Sequence, residues 1–193
     1  MRVSGGSAKG RRIGFKKAFS KADEGEELRP TSAKVREALF DIIRKELPGS
    51  AFLDLYAGTG GVGIEALSRG AAQATLVESN RLRAEMIRHL LSEFGFGERA
   101  AVVNARAFDF VRREIEKGRT YDIVFVDPPY SSEELMKILP FVGEGGMIRE
   151  SGIVIAEHFS RTRLPEHAGM LRLQKSYKYG DTVLTVYRSF HIP

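Results

Sequence analysis

The feature that most constrains the fold is a regular alternation of short apolar runs with helix-period segments between residues 51 and 156. The apolar runs lie at 52–56, 74–78, 100–103, 121–126 and 152–156. They are short, and the run at 121–126 is rich in β-branched and aromatic residues, as buried parallel strands are. Helix-period segments separate them, and right-handed crossovers between such units predict a parallel, doubly wound α/β sheet. Two further strand-like runs, 170–179 and 182–189, meet at Gly180-Asp181 and predict a closing antiparallel hairpin.

The fourth apolar run is followed directly by Asp127-Pro128-Pro129-Tyr130. Ligands of open α/β sheets bind at the carboxyl ends of the strands, so this tetrapeptide is expected where chemistry takes place. The carboxylate and a prolyl carbonyl can accept the two N–H bonds of an exocyclic amine, and the tyrosine ring can stack on a flat base. The same residues also fit a Pro-rich turn whose Asp caps the next helix.

Asp127–Tyr130 resembles the catalytic motif of the S-adenosylmethionine-dependent methyltransferases that act on amino groups of adenine, cytosine or guanine. This resemblance implies a class I methyltransferase fold, which is a Rossmann-like, mostly parallel seven-stranded sheet with a C-terminal antiparallel hairpin. It also implies that the catalytic residues are Asp127, Pro128, Pro129 and Tyr130.

A glycine-rich segment, Asp54 to Gly63, follows the first strand and opens a helix. Gly58 and Gly60 permit a tight turn and let a ligand approach the backbone. With Gly63 they also spell G-x-G-x-x-G, so a dinucleotide stays open as the ligand. Two details favour S-adenosylmethionine as the cofactor. A carboxylate at Asp54 would repel a pyrophosphate but can pair with an ammonium group, and the loop resembles the methyltransferase pattern D-x-x-x-G-x-G.

The other cofactor candidates follow the second and third strands. Glu78 fits an acceptor for a ribose hydroxyl. Many relatives carry an acid after strand three that accepts the adenine amine, whereas this chain has Asn104-Ala-Arg106-Ala107, and a guanidinium cannot accept a hydrogen bond. We expect the amine at the Asn104 side chain, or the ring N1 at the Ala107 amide. The predicted cofactor set is Asp54, Tyr56, Gly58, Gly60, Glu78, Ser79, Asn104, Arg106 and Ala107.

Composition excludes several classes of function. The chain has no cysteine, which removes disulfides, thiolate metal sites and cysteine nucleophiles and fits a reducing cytoplasm. Its histidines are scattered without ligand spacing, so we expect no metal. No apolar run is long enough to cross a membrane, so we expect no membrane partner.

The net charge of +5 is concentrated near the N-terminus. The basic residues of the first segment are Arg2, Lys9, Arg11, Arg12, Lys16, Lys17 and Lys21, with no acid among them. Such an arm fits contact with a phosphate backbone, and it also fits a solvated terminus. We therefore divide the chain into a basic arm or hairpin over 1–28 and a catalytic domain over 29–193. A helix capped by Thr31 or Ser32 opens the second part.

Residues 1–13, 29–43, 53–70 and 125–130 together resemble the RsmD family of bacterial 16S rRNA (guanine-N2)-methyltransferases. The resemblance implies methyl transfer to the 2-amino group of a guanine, with 16S rRNA as the partner, met within a small-subunit assembly particle. We expect a cytoplasmic monomer. One departure is Tyr130, where many members have Phe. The RNA-binding candidates are Arg2, Lys9, Arg11, Arg12, Arg29, Thr31 and Arg36.

Three alternatives stay open at the level of sequence. The first is an amino methyltransferase for adenine or cytosine in other RNA or in DNA. The second is an NAD-dependent oxidoreductase that uses Gly58–Gly63 and leaves Asp127–Tyr130 without a role. The third is a non-catalytic RNA-binding protein with a relict cofactor site.

Overall fold

The structure is a computed structural model that describes residues 1–14, 32–128 and 132–190. Its helices are α1 (Ala33–Ile42), α2 (Gly61–Ser68), α3 (Arg81–Glu93), α4 (Ala107–Glu116) and α5 (Ser132–Glu144), with a 3-10 turn at Gly97–Arg99. The strands are β1 (Ala51–Asp54), β2 (Gln73–Glu78), β3 (Ala100–Asn104), β4 (Tyr121–Val126), β5 (Ile148–Phe159), β6 (His167–Ala168), β7 (Leu171–Tyr179) and β8 (Thr182–Ser189).

These strands form one sheet in the order β3-β2-β1-β4-β5-β8-β7-β6. The pairs from β3 to β5 are parallel, and β8, β7 and β6 are antiparallel to their neighbours. The predicted methyltransferase-type α/β architecture is therefore confirmed. The strand count differs, because the two-residue β6 adds an eighth strand at the edge. Strand β5 is also longer than its predicted core at 152–156, since its pairing with β8 continues to Phe159.

Helices cover both faces of the sheet, as continuous apolar strands require. On the first face, α1, α2 and α3 bury residues such as Leu39, Ile64 and Ile87 against strand residues such as Phe125. On the second face, α4 and α5 form a separate cluster around residues such as Phe110. Side chains cap two of these helices: the hydroxyl of Ser32, one of the two predicted caps, accepts from the Val35 amide, and the Asn80 side chain accepts from the Arg83 amide.

Residues 1–14 pack on the domain rather than forming a separate unit. An antiparallel bridge joins Arg2 to Arg12, and Val3, Ala8 and Ile13 belong to the first-face core. The Ala8 amide donates to the Ser68 hydroxyl at 2.9 Å, which ties this N-terminal hairpin to the end of α2. The predicted boundary at residue 28 lies outside the described residues. Within the described ranges, no helix has the length and apolar character needed to cross a membrane.

Candidate active site at the carboxyl edge of the sheet

Three acidic side chains meet where β2, β1 and β4 end. Asp54 closes β1, Glu78 closes β2, and Asp127 follows β4 directly. Because β1 lies between the other two strands, the charges of both Asp127 and Glu78 act on Asp54. Asp54 and Glu78 are buried, and Asp127 is half-buried. We call this group the acid row, because it places three acidic side chains together at the carboxyl edge.

Asp54 is the most unusual member of the acid row. It is 1% exposed, and its Oδ1 atom has no hydrogen-bond partner among the described residues. Burial, followed by the charges of Asp127 and Glu78, raises the pKa of Asp54 to about 8, although hydrogen bonds from the Tyr56 and Gly63 backbone oppose the rise. A buried carboxyl surrounded by other acids is poised to receive a cation.

The glycine loop next to Asp54 adopts the tight turn that its sequence predicts. Gly58 and Gly60 have positive φ angles of 52° and 74°, a region that favours glycine. The Gly60 amide donates to the Ala57 carbonyl at 2.7 Å. A Cβ atom at Gly63 would lie 2.5 Å from the Leu76 Cδ2 atom, so this glycine lets α2 approach β2 closely. The loop is thus a tight glycine turn directly after Asp54.

Glu78 organises the loop from the neighbouring strand. Its carboxylate accepts from the Gly58 amide at 2.9 Å and from the Asn80 amide at 2.8 Å, and the Arg83 Nη1 atom lies 3.7 Å away. The two carboxylate oxygens therefore join the glycine loop to the start of α3. The ribose contact expected for Glu78 stays a prediction.

The predicted adenine side is built around Asn104. The Asn104 Nδ2 atom donates to the Glu78 and Ser79 carbonyls, both at 2.8 Å, which leaves the amide oxygen as the acceptor. Ser79 and Arg106 are exposed, and Ala107 is buried at the start of α4. These residues line one end of the carboxyl edge, as the sequence places them, and their contacts to a cofactor stay predictions.

The substrate side is described in part. Pro128 is half-buried beside Asp127, while Pro129 and Tyr130 lie outside the described residues. Tyr56 donates its hydroxyl hydrogen to the Glu134 Oε1 atom at 2.8 Å, and burial and this bond raise the pKa of the phenol. Tyr56 thereby links the glycine loop to α5, a contact that the sequence does not indicate.

The predicted RNA-binding residues divide into two groups. Arg36 is 2% exposed, and its guanidinium pairs with Glu65 at 3.0 Å and donates to the Arg2 carbonyl. Arg11 stacks on the Phe94 ring, with Cζ 4.1 Å from the centroid. Both arginines have an intramolecular partner, but Arg36 is buried whereas Arg11 is exposed, and RNA contact by either one stays a prediction. Lys9 and Arg12 are exposed with Arg2, and Arg29 and Thr31 lie outside the described residues.

Glu157 is a site residue that sequence reasoning missed. It follows Ala156, which pairs with Val126, so it lies next to Asp127 at the same level of the sheet. Its Oε2 atom is buried without a hydrogen-bond partner in the described ranges. Burial, followed by the charge of Asp127, raises the pKa of Glu157 to about 9. The signal in the sequence is an acid directly after the predicted fifth strand.

Comparison with known proteins places the chain among relatives that match it nearly end to end. A Bacillus subtilis (strain 168) protein, YlbH, provisionally named an rRNA methyltransferase, is 34% identical over 97% of this chain and 98% of its own length. The ribosomal RNA small subunit methyltransferase D of Escherichia coli (strain K12) is 30% identical over 97% of this chain and 89% of its own length.

Solved structures give the same result. An Escherichia coli protein, yhhF, provisionally titled a methyltransferase, superposes with a TM-score of 0.83 at 30% identity, covering 98% of this chain and 97% of that one. An RNA methyltransferase from Salinibacter ruber in complex with S-adenosyl-L-homocysteine shares the fold at a TM-score of 0.67 and 15% identity, over 86% of this chain and 97% of its own. The family model described as "Conserved hypothetical protein 95" matches residues 1–188. The chain therefore belongs to this family, which is the RsmD family that the sequence motifs indicate.

Proposed function

We propose that this protein transfers a methyl group from S-adenosylmethionine to the 2-amino group of a guanine in 16S ribosomal RNA. The observation that carries the proposal is the buried Asp54 carboxyl, whose Oδ1 atom has no partner among the described residues, beside a tight glycine turn. The named relatives in Escherichia coli and Bacillus subtilis support the rRNA substrate. The resemblance to RsmD enzymes supports the guanine.

The charge of the acid row supports a cationic cofactor. S-adenosylmethionine carries an ammonium and a sulfonium group, which Asp54 and its acidic neighbours would favour. A dinucleotide carries a pyrophosphate, which the same carboxylates would repel. The residues fit the methyl donor in a second respect, because Gly58 and Gly60 have no side chain and so let a ligand approach the loop backbone. We therefore favour a methyltransferase over an oxidoreductase.

The chemistry at the amine rests on Asp127 and Pro128. A guanine 2-amino nitrogen is a poor nucleophile because its lone pair is delocalised into the ring. The Asp127 carboxylate and the Pro128 carbonyl would accept its two N–H bonds and favour a pyramidal nitrogen. The cofactor would supply an electrophilic methyl group, whose bond to sulfur breaks as the nitrogen lone pair forms the new bond. Asp127 would stabilise the developing positive charge and receive the departing proton.

The surface beyond Asp127 suits a nucleic acid. Phe159 is 46% exposed, and the Arg161 Cζ atom lies 5.3 Å from its ring centroid. The Lys175 Nζ atom lies 4.9 Å from the ring centroid of Tyr177. Strand pairing places Phe159 and Tyr177 on the same face as Glu157. Aromatic rings with adjacent cations can stack on unpaired bases while attracting phosphates.

The substrate state and the assembly of the enzyme complete the proposal. The target base must be unpaired or flipped to reach the carboxyl edge. We propose that a small-subunit assembly particle presents it, since the hairpin offers few exposed cations for docking on naked RNA. We further propose that the enzyme acts as a monomer in the cytoplasm without a metal.

The test is incubation with tritiated S-adenosylmethionine and small ribosomal subunits from cells lacking this activity, followed by nucleoside analysis. Label in N2-methylguanosine of 16S rRNA is the expected result, and deproteinised 16S rRNA should be a poorer substrate than the particle. Label in another nucleoside would overturn the guanine assignment. Absence of label, together with proven cofactor binding in calorimetry, would overturn the rRNA substrate.

A further inference from the structure

Glu157 and Asp127 form a pair of neighbouring carboxyl groups. Val126 pairs with Ala156 in the parallel β4–β5 register, so the next residue of each strand lies side by side. Phe125 and Ile155, two positions earlier, both belong to the first-face core, so Asp127 and Glu157 point to that same face. Neighbouring strands lie about 4.8 Å apart, a spacing at which two carboxyls can bind one flat molecule.

The Oε2 atom of Glu157 is buried, and no group in the described residues donates a hydrogen bond to it. A shielded carboxyl oxygen without a partner costs stability, so a bound molecule that supplies the partner would be favoured. Burial and the charge of Asp127 raise the pKa of Glu157 to about 9, which favours the protonated carboxyl beside Asp127. It then offers one O–H donor and one carbonyl acceptor.

The position of Glu157 assigns it to the substrate rather than to the cofactor. The sheet order is β2-β1-β4-β5, and Asp54, Glu78 and the glycine loop lie on the β1 side of β4. Glu157 lies on the opposite side of β4, towards the hairpin that carries Tyr177. Asp127, which holds the reacting amine in the proposed function, stands between the two sides.

We propose that Glu157 is a specificity-determining residue that reads the N1–H and O6 groups of the target guanine. This inference rests on the proposed function. In guanine, the ring position next to the 2-amino group is an N1–H donor, and the O6 acceptor follows it. A neutral carboxylic acid is complementary to that pair. In adenine and cytosine, the ring nitrogen next to the exocyclic amine is an acceptor and no donor follows it, so Glu157 could make one hydrogen bond there instead of two.

A substrate analogue separates this role from a structural one. 2-Aminopurine keeps the 2-amino group but lacks both N1–H and O6. 16S rRNA with 2-aminopurine in place of the target guanine, identified by the tritium experiment above, would be assembled into particles. Its methylation would be compared with that of particles that carry guanine. We expect the wild-type enzyme to lose about 10–100-fold in kcat/KM on the analogue, the discrimination typical of a paired hydrogen-bond contact.

Two variants at Glu157 complete the test, with Glu150→Leu as a matched control on an exposed position of the same strand. Glu157→Leu should lose about 10–100-fold in kcat/KM on guanine and none on 2-aminopurine, with unchanged cofactor affinity. Glu157→Gln keeps one donor and one acceptor and should retain most of the activity. Melting curves confirm that each variant is folded.

The outcomes distinguish this inference from the proposed function. If wild-type enzyme labels guanine but uses 2-aminopurine equally well, the role of Glu157 is overturned and the methyltransferase assignment stands. If Glu157→Leu prefers guanine over 2-aminopurine as strongly as the wild type does, the proposed role of Glu157 is overturned as well. If wild-type enzyme binds the cofactor but labels no guanine, the proposed substrate fails first.

Discussion

Two buried acids have opposite surroundings: Glu65 lies in α2 among hydrogen-bond donors, and Asp54 lies at the carboxyl edge of the sheet among other acids. Glu65, in α2, is 0% exposed and accepts from Ser4, Arg36 and Arg69. Burial by itself would raise its pKa, but these hydrogen bonds outweigh burial and lower the pKa of Glu65. Asp54 is buried to the same degree, has acids for neighbours, and has its pKa raised to about 8.

The difference separates an acid used for structure from one kept for a ligand. Every oxygen of Glu65 is satisfied, so the group joins the N-terminal hairpin, α1 and α2 into one unit. The carboxyl edge instead keeps oxygens of Asp54 and Glu157 without a partner among the described residues. A protein accepts such a cost where a bound molecule supplies the missing partner.

The largest effect is expected at the carboxyl edge, for Asp127→Ala. Turnover should fall by about 10³-fold or more, because this change removes the acceptor that holds the amine and stabilises its developing charge. Radiolabel transfer measures the rate, and calorimetry should give a nearly unchanged cofactor affinity. Asp181→Ala, in the exposed β7–β8 turn, serves as the control and should be neutral. Near-wild-type turnover in Asp127→Ala would refute the mechanism.

The next effect concerns the structural acid. Glu65→Leu should lower the free energy of unfolding by about 3–5 kcal/mol, because the buried Arg36 loses its counter-charge. Urea titration measures this loss. Glu85→Leu breaks the exposed pair with Arg81 and should cost less than about 1 kcal/mol. An equal loss of unfolding free energy in Glu65→Leu and Glu85→Leu would mean that burial does not make the Glu65 ion pair more important for stability.

Asp54→Asn should affect function and stability in opposite directions. Cofactor affinity should fall by about 10–100-fold, since the charge that pairs with the ammonium is lost. The ligand-free variant should unfold at a higher temperature than the wild type at pH 8. A loss of stability at pH 8, or an unchanged cofactor affinity, would contradict this role.

The pH dependence of stability follows from the sign of each shift. The pKa of Asp54 rises from 3.8 to about 8, so the folded protein holds a proton that the unfolded chain releases, and this contribution is lost as pH rises from about 4 to about 8. Glu65, whose pKa is lowered from 4.5, contributes stability above that pH and loses it as the pH falls. Thermal melts across pH should show the alkaline loss reduced in Asp54→Asn.

The smallest effect is expected from the exposed hairpin cations. Replacing Arg2, Lys9 and Arg12 together by Ser should weaken particle binding by about 10-fold and reduce its salt dependence, if these cations contact phosphates. Filter binding at several salt concentrations measures both. Arg163→Ser, a single exposed change in the β5–β6 loop, provides the comparison. If the affinity of the triple variant depends on salt concentration as that of the wild type does, the hairpin cations do not contact RNA phosphates.

Local periodicity predicted the architecture well, but it did not predict contacts between distant segments. The helix caps at Ser32 and Asn80, the glycine loop and the place of Asp127 after β4 all follow from neighbouring residues. The internal contacts of Arg36 and Arg11 could not be predicted, because a basic residue in a sequence carries no record of its partner. Their partners, Glu65 and Phe94, lie far along the chain.

The sequence by itself determined the alternating α/β order, the conformation of the glycine loop and the identity of an acid at the end of β4, because each depends on side-chain pattern over a few residues. Only the tertiary structure decided that Glu65 is satisfied while Asp54 is not, and that Glu157 stands beside Asp127. The Ser4 amide that helps satisfy Glu65 is 61 residues away, and Glu157 reaches Asp127 through strand pairing alone. Burial and charge environment are properties of the assembled sheet, which no local pattern encodes.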